Sequence, residues 1–296
     1  MAQHGGKLKE FTGEWPPGRR SLRRYFLLKA LGSMPRGEPK VPDVKLYEKL
    51  SEMAAPPVRD DLRVESFERD GPLVISTGRL ARQKGFDVLA EAIPLVVKEL
   101  GAVRLVLMVL PVWGGEDYAY QLMELAREYP GNVRVIFGAA PSIYKLAHLS
   151  ADVFAAPSRW EPFGIMALEA MAAGVPLVAS RVGGLAETVV DIREHGYEGT
   201  GCFVEPGDPY ELADRVRDLA AFMEASSSGD IERYLGKISE EQLRRMLEEL
   251  PDSGEIIRKS CIERVEKMFT WERSADLAEA VYLEALGELE GLQQGA

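Results

Sequence analysis

The chain has 296 residues, a formal net charge of −11 and a hydrophobic fraction of 46%. It is long enough to bury a large core in one or two domains, and its composition is that of an ordinary globular protein. The acidic balance argues against duplex nucleic acid as the main partner, because phosphate binding needs an excess of Lys and Arg.

The cysteine count and the lengths of the apolar runs exclude further classes of protein. Cys202 and Cys261 are too few for a disulfide framework or a four-cysteine zinc site, so we expect packed thiols in a reducing cytoplasm. The longest apolar run, VRLVLMVLPVW, contains Arg104 and is too short to span a bilayer, and the N-terminus lacks the apolar core of a secretory signal. We therefore expect a cytoplasmic protein without a membrane partner.

Residues 1–70 are rich in Pro, Gly and charge, and we predict that they form an N-terminal extension. One stretch, RRSLRRYFLLKALG, predicts a helix that ends at Gly32. Its basic cluster could contact an anionic partner. The favoured interpretation places the arginines on a solvated face, with Leu22, Phe26 and Leu31 packed beneath.

From Gly71 onward, short apolar runs alternate with amphipathic segments of helical length, the pattern of βαβ units and a parallel sheet. The predicted strands are PLVISTG, VRLVLMVL, NVRVIFG, ADVFAAPS, VPLVAS and GCFVEPGD. Because several of these runs are apolar on both faces, helices should cover the sheet on both sides. The prediction for residues 71–296 is an α/β fold with a Rossmann-like, doubly wound parallel sheet, a helical insertion at about residues 226–260 and a long final helix.

The loop after the first predicted strand carries several cations. The segment STGRLARQKG contains Gly78, Arg79, Arg82, Lys84 and Gly85. Ligands of open α/β sheets bind beyond the carboxyl ends of the strands, and guanidinium and ammonium groups both suit phosphate. The alternative is an ordinary charged surface loop.

The segment SRWEPFGIMALEAMAAGVPLVAS predicts a second ligand loop. Pro162 restrains Glu161 to an extended conformation, Gly164 allows a turn, and the helix that follows carries Glu169. The free amide groups of about Gly164, Ile165 and Met166 would favour an anion such as a diphosphate at the helix N-terminus.

The two carboxylates of this segment are predicted to bind rather than to act as a paired acid and base. Glu161 would accept hydrogen bonds from sugar hydroxyls, and Glu169 from a ribose. The alternative makes Glu169 a solvated helix residue and Glu161 a partner of the helix dipole. A third loop, SRVGGLAE, supports ligand binding because Gly183 and Gly184 permit close backbone approach to a phosphate or sugar.

Together, GRLARQKG, EPFGIMALEAMAAGVPLVAS and VGGLAE resemble the carboxyl-terminal, donor-binding domain of retaining GT-B glycosyltransferases, most closely archaeal and bacterial glycogen and starch synthases. The resemblance covers roughly residues 71–219 and again residues 261–282, where FTWERSADLAEAVY resembles the terminal helix of the same family. It implies a Rossmann-like carboxyl-terminal half and a nucleotide-sugar donor, ADP-glucose or UDP-glucose. It also implies a glucan acceptor and a reaction that needs neither metal nor cofactor.

The resemblance also implies roles for individual residues. Arg79 and Lys84 would bind the donor diphosphate and offset its charge as the sugar–phosphate bond breaks. Glu161 would hold the donor sugar and Glu169 the ribose. Backbone amides of residues 163–166, from Phe163 to Met166, would contact sugar and phosphate.

Some features depart from the family pattern. A complete GT-B enzyme has an amino-terminal domain of comparable size that supplies acceptor contacts and a catalytic-site histidine, and we expect that domain to lie upstream or on another chain. His4, His148 and His195 fit no family histidine motif, so none is assigned to catalysis. The family's glycine-rich turn is altered to LPVWGGEDYAY, and Tyr144 is a candidate to stack on the base.

Two other functions stay open at this point. The chain could be a stand-alone module that binds a nucleotide sugar or a glucan without transferring anything. It could also belong to a transferase that modifies lipid or small-molecule acceptors.

Overall fold

A six-stranded parallel sheet forms the centre of the protein, in the order β3-β2-β1-β4-β5-β6. The computed structural model describes the backbone of residues 5–294 and the side chains of residues 6–286. The strands are β1 (Leu73–Arg79), β2 (Arg104–Leu110), β3 (Val133–Phe137), β4 (Val153–Ala156), β5 (Leu177–Ser180) and β6 (Gly201–Val204).

Fourteen α-helices lie within the described residues. They are α1 (Gly5–Thr12), α2 (Arg19–Tyr25), α3 (Val44–Met53), α4 (Phe86–Leu100), α5 (Glu116–Glu128), α6 (Pro141–Ser150), α7 (Ile165–Ala172), α8 (Gly183–Thr188), α9 (Ile192–His195), α10 (Pro209–Ser228), α11 (Ile231–Leu235), α12 (Glu241–Glu249), α13 (Ser253–Met268) and α14 (Trp271–Gln294).

The strand order confirms the predicted doubly wound α/β fold. The chain runs outward from β1 to β3, returns through α6 to β4 beside β1, and then runs outward again to β6. Right-handed crossovers therefore place α4 and α5 on one face and α6 and α7 on the other. After β6, α10 returns to pack against α4. All six strands of the sheet lie where the sequence predicted them.

The switch in strand order opens a crevice at the carboxyl edge of the sheet. β1 pairs with β2 along its whole length, from Leu73 opposite Arg104 to Arg79 opposite Leu110. With β4 it pairs only at Val74 and Ile75. Beyond these residues β1 and β4 diverge, and ligand sites of such sheets lie at this kind of switch point.

The helix predicted over residues 19–32 is present, since α2 continues through a π-helical turn (Phe26–Ala30) and a 3₁₀ turn (Leu31–Ser33). Leu22, Phe26 and Leu31 are buried, as predicted. The prediction that the arginines lie on a solvated face is wrong for Arg23, which is only 1% exposed.

Arg23 is buried because it belongs to an ion-pair network at the amino edge of the sheet. Its Nη1 donates to Asp152 Oδ2 at 2.7 Å and also to Glu224 of α10, and its Nε donates to Asp70 Oδ1 at 3.0 Å. Arg258 of α13 donates to the second oxygen of Asp152, Oδ1, at 2.9 Å. Burial alone would raise the pKa of Asp152, but the two arginines hold it below its usual value.

The network joins the predicted extension and insertion to the sheet. Side chains from residues 8–67, among them Leu27 and Leu50, lie in the same hydrophobic core as the strands. Residues 226–260 contain the end of α10, the helices α11 and α12, and the first half of α13, which packs against α7. The domain boundaries at residues 70, 226 and 260 stay predictions.

Two findings concern the membrane and thiol predictions. Within residues 5–294, no helix has both the length and the apolar character needed to cross a lipid bilayer. Cys202 and Cys261 are both free and buried, and burial raises the pKa of the Cys261 thiol to about 12.

We predict that Asp152→Asn destabilises the fold by about 3–5 kcal/mol, because it leaves Arg23 and Arg258 buried without a full counter-charge. Urea unfolding followed by circular dichroism measures the change. The matched control is Asp214→Asn, which removes an exposed ion pair with Arg217 and should cost about 0–1 kcal/mol. Equal effects of the two variants would contradict a central role for the network.

Candidate functional site

A cavity of about 770 Å³ opens where β1 and β4 diverge. Its wall comes from the end of β1 and the loop after it, the end of β2, the loop from β3 into α6, and the loop from β4 into α7. The lining residues are Thr77, Gly78, Arg79, Gln83, Lys84, Met108, Leu110, Gly138, Ala139, Ala140, Pro141, Tyr144, Lys145, Glu161, Pro162, Ile165 and Met166.

The structure brings the predicted site residues to this one edge of the sheet. Six of them line the cavity, namely Gly78, Arg79, Lys84, Glu161, Ile165 and Met166. The other six, Gly85, Phe163, Gly164, Glu169, Gly183 and Gly184, lie in the same loops and helices but outside the lining.

Lys84 and Glu161 form an ion pair in the cavity wall. The Lys84 ammonium donates to Glu161 Oε2, and the side chains are 12% and 7% exposed. Lys84 Nζ also lies 3.8 Å from Met166 Sδ. The family resemblance implies that the two residues bind different parts of a ligand, whereas in the structure they bind each other.

Arg79 is the cation of this loop that lines the cavity without an ion pair. It is the last residue of β1, it is exposed, and its side chain makes no ion pair or hydrogen bond with the rest of the described chain. A guanidinium at the rim of a cavity, without a protein counter-ion, is available to an anionic ligand.

The N-terminus of α7 supplies backbone donors to the same cavity. Gly164 has φ of +89° and begins the helix, no side chain caps it, and the Gly164 carbonyl accepts from Ala167 and Leu168. The amides of Gly164, Ile165 and Met166 therefore precede the first hydrogen bonds of the helix. Because Ile165 and Met166 line the cavity, these amides and the helix dipole favour an anion there.

Three of the predicted glycines are required by close packing between loops. A Cβ on Gly85 would lie 1.9 Å from the Pro157 carbonyl oxygen, and one on Gly183 would lie 2.1 Å from that of Glu161. A Cβ on Gly184 would lie 2.4 Å from Phe163 Cα, and the Gly184 amide donates to the Glu161 carbonyl at 2.8 Å. The structure thus gives them a protein partner, and their contact with a ligand stays a prediction.

Tyr144 links α6 to α7 across the cavity. Its hydroxyl donates to Glu169 Oε2 at 2.7 Å. Burial raises the pKa of Tyr144, and the neighbouring Glu169 carboxylate adds to the shift, so the phenol stays protonated at neutral pH. Glu169 is exposed and near the cavity, the position that the sequence predicted for a group that holds ribose.

His148 and His195 lie outside the cavity lining. His148 is buried below Tyr144, with ring centroids 4.6 Å apart, and burial lowers its pKa. His195 is exposed at the end of α9. His4 lies outside the described residues.

A profile of the family described as glycosyl transferases group 1 matches residues 58–225, which contain β1 to β6 and the whole cavity lining. The chain belongs to this family.

Glycogen and starch synthases are similar to this chain in sequence. The glycogen synthase of Alkalilimnicola ehrlichii is 34% identical over 157 residues, which are 53% of this chain and 32% of the relative. The granule-bound starch synthase 1 of Zea mays is 36% identical over 152 residues, 49% of this chain and 24% of the relative. The resemblance to glycogen and starch synthases is confirmed, and the chain spans a third or less of the length of these relatives.

Solved structures support the fold. Sucrose-phosphate synthase from Thermosynechococcus elongatus is 27% identical with a TM-score of 0.52, over 74% of this chain and 46% of that one. The catalytic domain of starch synthase IV from Arabidopsis thaliana, bound to ADP and acarbose, is 20% identical with a TM-score of 0.55, over 86% and 47%.

Sequence reasoning missed residues that hold the two main loops of this group 1 transferase together. Arg159 binds both carboxylate oxygens of Asp87, at 2.6 and 2.7 Å, and Gln83 Nε2 donates to the Trp160 carbonyl at 3.0 Å. The first pair joins the loop after β4 to the first turn of α4, and the second joins it to the loop after β1. Arg159 lies inside the SRWEPFG motif, but its partner is 72 residues earlier in the chain, so no local pattern reveals it.

Lys145 is the charged residue of the cavity lining that the sequence did not single out. It follows Tyr144 on α6, is exposed, and has no ion-pair partner among the described residues. Its only signal in the sequence was its place beside a candidate base-stacking tyrosine.

We predict that Gly184→Ala lowers the free energy of unfolding by about 1–3 kcal/mol, because the added methyl group would collide with Phe163 backbone atoms. The matched control is Gly131→Ala, where no atom lies within 4 Å of the added Cβ. Thermal unfolding of both variants tests the packing. A neutral Gly184→Ala would show that the two loops do not depend on this contact.

Proposed function

We propose that the chain is the donor-binding half of a retaining glucosyltransferase of the glycogen or starch synthase type, with ADP-glucose or UDP-glucose as donor. One observation carries the proposal. At the switch point of the sheet, one cavity holds the free cation Arg79, the Lys84–Glu161 pair and the uncapped N-terminus of α7.

The charges of this cavity suit a nucleoside diphosphate sugar. The diphosphate would accept hydrogen bonds from the Gly164, Ile165 and Met166 amides and from Arg79. The apolar wall near Met108 would take the flat base, and such clefts with a few placed polar groups are usual for ligands of this size.

The carboxylates would bind the two sugars. Glu161 lies in the wall beside the α7 N-terminus and would accept hydrogen bonds from glucose hydroxyls, while Lys84 stays close to it. Glu169, held by the Tyr144 hydroxyl, would accept from the ribose. As the sugar–phosphate bond breaks, negative charge grows on the leaving diphosphate, and Arg79 and Lys84 would stabilise it without a metal or cofactor.

Relatives with ligands support a nucleotide. The starch synthase IV structure contains ADP and acarbose, and a structure of HepE from Anabaena, 20% identical with a TM-score of 0.50, contains UDP and glucose. HepE covers 72% of this chain, and this chain covers 48% of HepE. Both nucleotides remain candidates for this chain.

We further propose a partner domain that completes the acceptor site for a glucan. The described side chains of α14 from Trp271 to Leu286 are all exposed, including Leu277, Val281 and Tyr282. With Trp271 and Leu286 they form one apolar face of the helix. Exposed apolar faces of this kind mark interaction sites, and we propose that the partner domain covers this one. The two buried, free cysteines support a reducing compartment such as the cytoplasm.

We expect Arg79→Ala to weaken ADP or UDP binding about tenfold or more, because a hydrogen bond between charged groups is lost. Isothermal titration calorimetry with each nucleotide measures the dissociation constant. The matched control is Arg82→Ala, an exposed cation three residues further on that does not line the cavity, which should change affinity less than about twofold. Unchanged binding in Arg79→Ala would refute the diphosphate assignment.

Transfer and binding-only functions are separated by assaying glucose transfer from ADP-glucose and UDP-glucose to glycogen. We expect transfer only when the chain is combined with an amino-terminal GT-B domain. Transfer by the chain alone would exclude a binding-only module and make the partner domain unnecessary. Nucleotide binding without transfer in either case would favour the stand-alone binding module.

A further inference from the structure

We propose that Lys145 of α6, which lines the cavity, is a second ligand of the donor diphosphate. The inference rests on the proposed function, since it names a further binding residue for the same nucleotide. Neither the family motifs nor the loop after β1 pointed to this residue.

Lys145 is one of the charged side chains that line the cavity and lack an ion-pair partner among the described residues. The charged lining residues are Arg79, Lys84, Lys145 and Glu161. Lys84 is already neutralised by Glu161 through a direct ion pair. Arg79 and Lys145 are therefore the two lining cations without a counter-charge among the described residues, and they match the two or more negative charges of a nucleoside diphosphate.

The structure fixes the part of α6 from which Lys145 projects. Ile143, Leu146 and Ala147 on either side of it are buried. Glu38 holds the start of the helix, because its Oε2 accepts from the Ser142 amide at 3.1 Å and from the Ser142 hydroxyl at 2.6 Å. The backbone at Lys145 is thus anchored, while the exposed ammonium can move to meet a ligand.

The contact between Glu38 and Ser142 also indicates which helix N-terminus is free to bind the phosphates. Two helices, α6 and α7, begin at the cavity. A carboxylate, that of Glu38, already occupies the N-terminus of α6, whereas no side chain caps α7. The diphosphate therefore belongs at α7, and α6 contributes through Lys145 rather than through its backbone amides.

Lys145 also lies beside the residue that joins the two helices. Tyr144 lines the cavity and its hydroxyl donates to Glu169 of α7. This hydrogen bond connects α6 to α7. Lys145, the next residue along α6, lines the same cavity as Ile165 at the N-terminus of α7. Arg79 from β1 and Lys145 from α6 then hold the diphosphate from two sides.

The test compares Lys145→Met with Lys98→Met, a matched loss of one exposed lysine on α4 away from the cavity. ADP, UDP, AMP and adenosine are titrated against both variants and the wild-type chain at low and high salt. Lys145→Met should weaken ADP or UDP binding about tenfold, leave adenosine within about twofold, and reduce the salt dependence of the affinity. Lys145→Arg should restore most of the affinity, and Lys98→Met should bind like wild type.

Different results overturn different statements. If Arg79→Ala weakens ADP binding and Lys145→Met does not, the inference about Lys145 fails and the proposed function stands. If Lys145→Met weakens adenosine as much as ADP, Lys145 acts on the nucleoside and not on the diphosphate, which also overturns the inference. If the folded wild-type chain binds neither ADP nor UDP, the proposed function fails and the inference fails with it.

Discussion

Asp152 holds together the amino ends of the two strands between which the cavity opens. It directly precedes β4, and its carboxylate accepts from the Leu73 amide at the start of β1 at 2.8 Å. Arg23 and Arg258 bind the same carboxylate from α2 and α13. With β1 and β4 fixed at one end, their divergence after Ile75 becomes a crevice of defined shape at the other. Residues at the opposite edge of the sheet thus determine where the loops that line the cavity begin.

The crevice keeps its shape because its loops bind each other. Arg159 and Asp87 join the loop after β4 to the first turn of α4, and Gly184 lets the start of α8 pack directly on Phe163. Loops held in this way pay less conformational entropy when a ligand binds. Only the charged side chains of the motifs that have no ion-pair partner in the protein are free to bind a ligand. Lys84 is paired with Glu161, so the unpaired cations carry most of the expected phosphate binding.

Membership in the glycosyl transferases group 1 family is consistent with this arrangement, because the family match ends inside α10 and includes every residue of the cavity. The chain corresponds to a third or less of the glycogen and starch synthases that it resembles. The exposed apolar face of α14 lies outside that match and outside the core. The proposed partner domain would cover this apolar face.

The sequence by itself determined the succession of strands and helices along residues 71–296, because apolar runs and amphipathic periods are local signals. It also located two of the loops that line the cavity, those after β1 and β4, since residues after parallel strands gather at one edge of the sheet whatever the packing details. Only the tertiary structure decided which charges stay free. The partners of Arg23, Lys84 and Arg159 lie 47 or more residues away in the chain, and no local pattern encodes such pairs. For the same reason Lys145 could not be recognised from its neighbours: its importance comes from the pairing of Lys84 with Glu161, which exists only after folding.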